Sequence, residues 1–187
     1  MKKRLTLLQM DVHVNDVEYN FNRVQELLTQ SLTENPDIIV LPETWNTGFH
    51  PSDDLITIAD RNGERTKSLL TAFAKEHNVN IVGGSVAVAK DNLVFNTSYA
   101  YNREGTLVGE YSKMHGFSPA KEDKYFASGT HTTHFELDGI PCSTVICYDI
   151  RFPELVRMAA LPGTELLFVP AQWPTMRLRH WQVLNEV

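Results

Sequence analysis

PDIIVLPETW (residues 36–45) returns later in the chain as TELLFVPAQW (residues 164–173), and this repetition decides the fold. With the two stretches aligned 128 residues apart, Asp37 falls on Glu165, Pro42 on Pro170 and Trp45 on Trp173. Each contains a four-residue apolar run, 38–41 and 166–169. Successive side chains of a strand point to opposite faces, so an unbroken apolar run of this length suits a strand covered on both sides.

Each of these strands follows a helix, and each helix follows another apolar strand. In the first copy, strand 5–10 precedes a helix opened by Asn15, whose side chain can cap it, with Glu18 three residues on to complete a capping box. Val17, Phe21, Val24 and Leu28 then fall on one apolar stripe. In the second copy, 143–147 is the strand and 152–161 the helix, ended by Pro162-Gly163. Two strand–helix–strand units imply parallel pairing through right-handed crossovers.

Between the copies, the spacing predicts a helix over 64–77 with Thr66, Leu69, Leu70, Phe73 and Ala74 buried and Asn78 as its left-handed stop. Strands at 80–89, 93–101 and 106–111, joined by turns at 90–92 and 102–105, make an antiparallel meander. Asp138-Gly139 suits the two-residue loop of a further hairpin that starts at residue 131. The second copy stops within a helix begun by 180–186, with no counterpart of the strands between 80 and 111. Its symmetry therefore predicts a fold incomplete at the C-terminus, although residues 177–187 also read simply as a terminal helix.

With 187 residues, 42% hydrophobic and 21% charged, the chain has the make-up of a single globular domain spanning 1–187. A net charge of −6 leaves no footprint for nucleic acid. The basic Lys2-Lys3-Arg4 start runs into a segment containing Thr6 and Gln9, too short and polar for a signal sequence or membrane span. Cys142 and Cys147 lie five apart on what reads as one strand, a poor spacing for a disulfide, and a reducing cytoplasm is the expected setting.

Ligands of open α/β sheets gather at the carboxyl ends of strands. Three such ends carry chemistry here: Glu43 after VLP, Cys147 after TVI, and Gln172-Trp173 after FVP; Lys113 follows the strand ending at Tyr111. Cys147 sits in STVICYDIRFPEL (residues 143–155), where a strand hands over to a helix opened by Pro153. Amide N–H groups at a helix start would favour its thiolate and lower its pKa, whereas a buried, inert thiol is the alternative at such a position. A thiol, a carboxylate and an ammonium brought together would supply a nucleophile, a base and an oxyanion stabiliser. A metal site at His131 and His134 fails, because strand residues three apart face opposite sides.

LPETWNTGF around Glu43, YSKMHGF around Lys113 and ICYDIRFPEL around Cys147 resemble the three signature segments of the nitrilase superfamily, the carbon–nitrogen hydrolases. Their order and separations, 70 and 34 residues, are similar to that family's pattern over essentially the whole chain. The resemblance implies an α/β fold, an αββα sandwich with a pseudo-twofold internal repeat. It implies Glu43 as general base, Lys113 as oxyanion-stabilising cation and Cys147 as nucleophile, with Glu122 in KEDKYFASG orienting Lys113. No metal or cofactor is required, and relatives commonly form homodimers and extend past the HWQVL segment. Either the chain is an amidase completed by further residues, or it is an inert remnant.

CYDIRFPEL and the later AQWP look most like the omega-amidase branch, which deamidates small dicarboxylate monoamides such as 2-oxoglutaramate; branches acting on N-carbamoyl amines or deaminated glutathione share much of the pattern. For an acid-bearing amide, Arg151 is a candidate cation for the distal carboxylate, or else an ion-pair partner of Glu154 or Asp149. Tyr148 would offer its backbone N–H to the oxyanion. His115, Phe117 and Trp173 are candidate pocket walls, or sheet-edge packing. His115 would be the base instead if the protein were a cysteine–histidine hydrolase.

Overall fold

The computed structural model describes residues 2–49 and 51–186. Strand β1 (Leu5–Leu7), helix α1 (Val17–Ser31) and strand β2 (Ile38–Val40) form the first strand–helix–strand unit, with β1 and β2 parallel and Leu5 opposite Ile38. Helix α1 buries Phe21, Val24 and Leu28, the stripe its spacing demands. Its start differs from expectation. Asn15 turns left-handed (φ 63°), so the cap passes to Asp16, whose Oδ1 accepts from the Tyr19 N–H at 3.0 Å. Glu18 leaves the capping box and pairs with Arg65.

A one-turn helix α2 (Leu55–Ile58) and a two-residue strand β3 (Asp60–Arg61), neither foreseen, precede α3 (Glu64–His77). Helix α3 buries Thr66, Leu70, Phe73 and Ala74 and stops at a left-handed Asn78 (φ 51°). The run 80–89 is not one strand. It divides into β4 (Asn80–Val82), parallel to β2, and β5 (Val86–Lys90). Both lie antiparallel to β6 (Leu93–Tyr101), which β7 (Leu107–Ser112) flanks in turn.

The break between β4 and β5 has a purpose in the architecture. Gly84 is left-handed (φ +62°), and a Cβ there would lie 2.0 Å from the Pro42 carbonyl oxygen. Only glycine permits so close an approach. The approach lets Ser85 N–H donate to Pro42 O (3.0 Å) and Trp45 N–H to Ser85 O (3.1 Å), which seats the backbone carrying Glu43.

Helix α4 (Glu122–Tyr125) leads to the hairpin of β8 (His134–Leu137) and β9 (Ile140–Thr144), turned by left-handed Asp138 and Gly139. His131 lies before β8 rather than on it. Helix α5 (Pro153–Ala160) then crosses to β10 (Leu166–Phe168), parallel to β9, with Cys142 opposite Leu166. The two units thus share one construction. The chain closes with α6 (Leu178–Asn185).

Alternation along β2 sorts the layers. Ile39, with Leu41 just beyond the strand, packs among Phe21, Leu28, Leu70 and Ala74 of the helices. Ile38 and Val40 face the second sheet, meeting Phe135, Leu137, Cys142 and Phe168. Helix α5 covers that sheet's far side, with Leu155 and Ala159 against Val145 and Leu167. The order is helix, sheet, sheet, helix. Each fully buried aliphatic side chain contributes about 1.5–3 kcal/mol, so residues apolar on both faces anchor two layers at once. At one edge of the sandwich Arg103 ties the sheets together, donating to Asp138 (2.7 and 2.8 Å) in the β8–β9 turn and to Asp37 (2.9 Å) before β2. Among the described residues, no helix is long and apolar enough to cross a membrane.

Candidate active site

The carboxyl ends of β2, β7 and β9 open towards one another and bring together the four side chains singled out for chemistry. Glu43 leaves β2 one residue past Pro42, Lys113 directly follows β7, Glu122 is the first residue of α4, and Cys147 lies three residues past β9. All four are buried; Glu43 and Glu122 are 0% exposed. Lys113 Nζ donates to Glu43 Oε1 (2.8 Å) and to Glu122 Oε1 (2.9 Å) and Oε2 (2.8 Å). The second oxygen of Glu43 accepts from the Gln172 N–H (2.7 Å), and the Gln172 side chain donates back to Glu43 O (2.6 Å). Glu122 Oε2 accepts from the Phe117 N–H (2.6 Å).

The backbone is strained on both sides of the cluster. Thr44, directly after Glu43, has φ 40°, and Cys147 has φ 48°. A β-branched residue at positive φ is rare, and such conformations cost about 1–3 kcal/mol each. The Thr44 N–H is held by Ser85 Oγ (3.0 Å) at the β4–β5 break. Cys147 N–H donates to Pro170 O (2.9 Å), a residue of the second repeat, so both copies of the repeated stretch supply backbone to the site.

The cysteine differs from expectation in two respects. Strand β9 ends at Thr144, so Cys147 opens a single 3₁₀ turn, Cys147–Arg151, before α5. Its thiol pKa is raised, not lowered. Burial is the largest cause, the Glu43 carboxylate adds to it, and the Lys113 ammonium only partly opposes them. Burial and the Glu43 carboxylate therefore both favour the neutral thiol over the thiolate. Burial would pull Lys113 down, but the negative groups around it outweigh that, so it stays an ammonium. Burial raises Glu122, with Lys113 opposing and Glu43 adding to the rise.

Asp149 shapes the turn beside Cys147. Its carboxylate is fully buried and accepts from the Ile146 N–H (3.0 Å), Tyr111 Oη (2.7 Å) and the His115 N–H (2.9 Å). It is therefore engaged away from Arg151. Among the described residues Arg151 has no ion pair with Asp149 or Glu154; its guanidinium lies 5.7 Å from the Tyr148 ring centroid. His115 Nδ1 is 3.0 Å from Asp149, and its ring stacks on Phe152 at 3.6 Å, so it braces the turn instead of standing as a base against the thiol. Trp173 packs on the cluster containing Cys147, Ile146 and Tyr111. Phe117 meets Tyr148 edge-on (5.1 Å). Cys147 and Asp149 use their N–H groups on Pro170 O and Ile146 O, while that of Tyr148 finds no backbone partner among the described residues.

Asn96 of β6 is a residue that sequence reasoning missed. Its Nδ2 donates to Glu43 Oε1 (3.0 Å) and to Glu122 Oε1 (3.1 Å). The available signal was a run of polar residues, Asn96-Thr97-Ser98, inside a strand otherwise built for burial. A cleft of about 470 Å³, lined by Lys67, Phe95, Tyr99 and Glu110 among others, includes none of the four central residues. Phe95, Thr97 and Tyr99 project from the face of β6 opposite Asn96, so this cleft is separate from the buried cluster.

A family model described as carbon–nitrogen hydrolase matches residues 4–187. The chain is 40% identical over 184 residues to a 2-oxoglutaramate amidase of Bacillus subtilis, covering 98% of this chain and 70% of that protein. It is 30% identical over 193 residues to omega-amidase NIT2 of Xenopus tropicalis, covering 99% and 69%. Among solved structures, Saccharomyces cerevisiae Nit3, described as a member of branch 10 of the nitrilase superfamily, superposes with a TM-score of 0.85 at 25% identity over 96% of this chain and 68% of that one. XC1258 of Xanthomonas campestris, a CN-hydrolase superfamily protein with an arsenic adduct in its active site, gives 0.84 at 28% identity over 97% and 69%.

Proposed function

The chain belongs to the carbon–nitrogen hydrolase family, and from that premise we propose that it hydrolyses the amide of a small carboxylate-bearing molecule, 2-oxoglutaramate foremost, to the acid and ammonia. The observation that carries this reading is the closed contact of one ammonium with two buried carboxylates beside a buried thiol. The similarity to proteins named 2-oxoglutaramate amidase and omega-amidase supports the substrate class.

Cys147 is the nucleophile. Because its thiol rests neutral, attack on the amide carbon needs a base at the same moment, and Glu43 takes the proton. The oxyanion is held by Lys113 and the Tyr148 N–H. Lys113 has three protons: one goes to Glu43, and the two oxygens of Glu122 are placed to share a second. The third remains for the oxyanion, and such a donor is typically worth about 3 kcal/mol of transition-state stabilisation. Glu43 then protonates the leaving nitrogen. Ammonia departs, a thioester at Cys147 Sγ remains, and water activated by Glu43 releases the acid. Glu122 keeps Lys113 in place throughout. Trp173, Phe117 and Tyr148 wall the acyl pocket, and Arg151, with no ion-pair partner among the described residues, is the candidate for the distal carboxylate. A small-molecule amide is the partner, met in a cytoplasmic setting by a protein that pairs with a second copy.

Ammonia release from 2-oxoglutaramate, glutamine and N-carbamoylputrescine tests this. Turnover fastest on 2-oxoglutaramate supports the proposal, and turnover fastest on the carbamoyl amine overturns it.

A further inference from the structure

We infer that Asn96 is a positioning residue of the reaction: a single side-chain nitrogen that holds the general base and the lysine-orienting glutamate in register while its own main chain holds the lysine. The inference rests on the roles given to Glu43, Lys113 and Cys147 above.

The geometry is specific. An amide nitrogen carries two protons, and Asn96 Nδ2 directs one to each carboxylate, Glu43 Oε1 and Glu122 Oε1. The main-chain oxygen of the same residue accepts from the Lys113 N–H at 2.8 Å. One position on β6 therefore touches three of the four central residues, which come from β2, β7 and α4. No other described side chain contacts both carboxylates except Lys113.

The charges explain why a neutral donor is needed. Two carboxylates share one ammonium in a buried setting, so the trio carries a net negative charge and the two acids repel each other. A second cation would cancel that charge and weaken the base. An amide leaves the charge in place and offsets the repulsion between the two acids with two directed N–H dipoles. The orientation is fixed as well. Turning the amide over would set its carbonyl against two carboxylate oxygens.

Asn96 has a structural cost that its packing does not explain. Its Oδ1 is buried with no hydrogen-bond partner among the described residues, and an orphaned buried acceptor is destabilising. An apolar side chain of similar volume would avoid this. It would also leave every carboxylate oxygen with a donor, since both atoms that Asn96 contacts also accept from Lys113. The fold can therefore dispense with the Asn96 side chain more readily than the chemistry can.

Asn96→Leu and Asn96→Asp test this in the 187-residue chain. Alkylation of Cys147 by iodoacetamide, followed from pH 5 to 9 by peptide mass spectrometry, reads the base and nucleophile without a substrate, and urea unfolding reads the fold. Expected for Asn96→Leu is a fall in the alkylation rate at pH 7 of tenfold or more, an acid limb moved upward by about half a pH unit or more, and an unfolding midpoint close to that of the parent. Asn96→Asp, which adds a third acid in place of the donor, should move the limb further in the same direction. Unchanged profiles in both variants overturn the inference, and so does a lower rate with an unmoved limb and a much reduced midpoint, which marks a purely structural residue. Absence of Cys147 alkylation in the parent would strike instead at the assignment of the nucleophile.

Discussion

Removing the ammonium tests the electrostatics of the site most directly. Lys113→Met keeps the length and apolar stem of the side chain and deletes its charge. In the parent, Nζ sits 2.8 Å from Glu43 and 2.8 Å from Glu122, with both acids fully buried. At an effective dielectric near 20, opposite unit charges about 4 Å apart attract by about 4 kcal/mol, and the two acids repel each other on the same scale. Deleting one member of a buried pair typically costs about 3–5 kcal/mol. The remaining donors, Asn96 Nδ2 and the N–H groups of Gln172 and Phe117, hold the loss within that range. The loss should depend on pH with a definite sign. Burial already raises Glu122, and without Lys113 opposing it the shift grows. A carboxylate raised in the folded state binds a proton on folding, so the stability it gives at low pH is lost as pH rises through its folded pKa. The gap between parent and variant should thus widen from pH 5 to pH 8, approaching 1.4 kcal/mol per pH unit where one proton is taken up. Urea unfolding followed by tryptophan fluorescence at pH 5, 6.5 and 8 measures it. A gap below about 1 kcal/mol, or one that does not change with pH, would refute the claim that Lys113 neutralises ionised acids.

Glu43→Gln removes the base, and ammonia release should fall about 10²- to 10⁴-fold, while the Gln172 pairing to Glu43 O preserves the local backbone; near-normal turnover would exclude the assigned role. Asp149→Ala orphans the Ile146 N–H, the Tyr111 hydroxyl and the His115 N–H beside Cys147, and a loss of about 3 kcal/mol in urea unfolding is expected, with activity falling along with it. Arg103→Ala unfastens the sheet edges, with an expected loss of about 1–2 kcal/mol near neutral pH. Hydrogen bonds from Arg103 hold Asp138 well below the usual carboxylate range, and the Arg4 backbone N–H, helped by Lys3 and Arg103, holds Asp37 low. Stability from depressed acids is present above their unfolded pKa and lost as pH falls through the folded one, so this variant's deficit should shrink below about pH 4, as acid titrations of unfolding will show.

Much of the site was readable because its residues sit where local rules put them. Glu43 and Cys147 stand just beyond apolar runs, and buried strands of a parallel unit present their carboxyl ends to a common crevice. Helices α1 and α3 were legible from their apolar stripes, whereas the one-turn α2 and α4 were not. Less visible was the interruption at Gly83-Gly84. Periodicity over 80–89 describes one strand, and only the approach of Pro42 O to Gly84 explains why it must break there. The cap moved from Asn15 to Asp16 for a related reason. Asn15 N–H donates to Thr47 O in a distant loop, and that tertiary contact overrides a local preference.

Taken alone, the residue order determined the repeat and the strand-end side chains Glu43, Lys113 and Cys147, because burial and pairing direction follow from patterns a few residues long, while the layer order and Glu122 were expected only from the family resemblance. The protonation of Cys147 and the partnerships of Asn96, Asp149, His115 and Arg151 belonged to the tertiary structure. A thiol's charge state depends on how much water is excluded and on which charges lie within a few ångströms, whatever their place along the chain. Helix-start amides argued for a thiolate, and the burial and the acid beside Cys147 decided for a thiol.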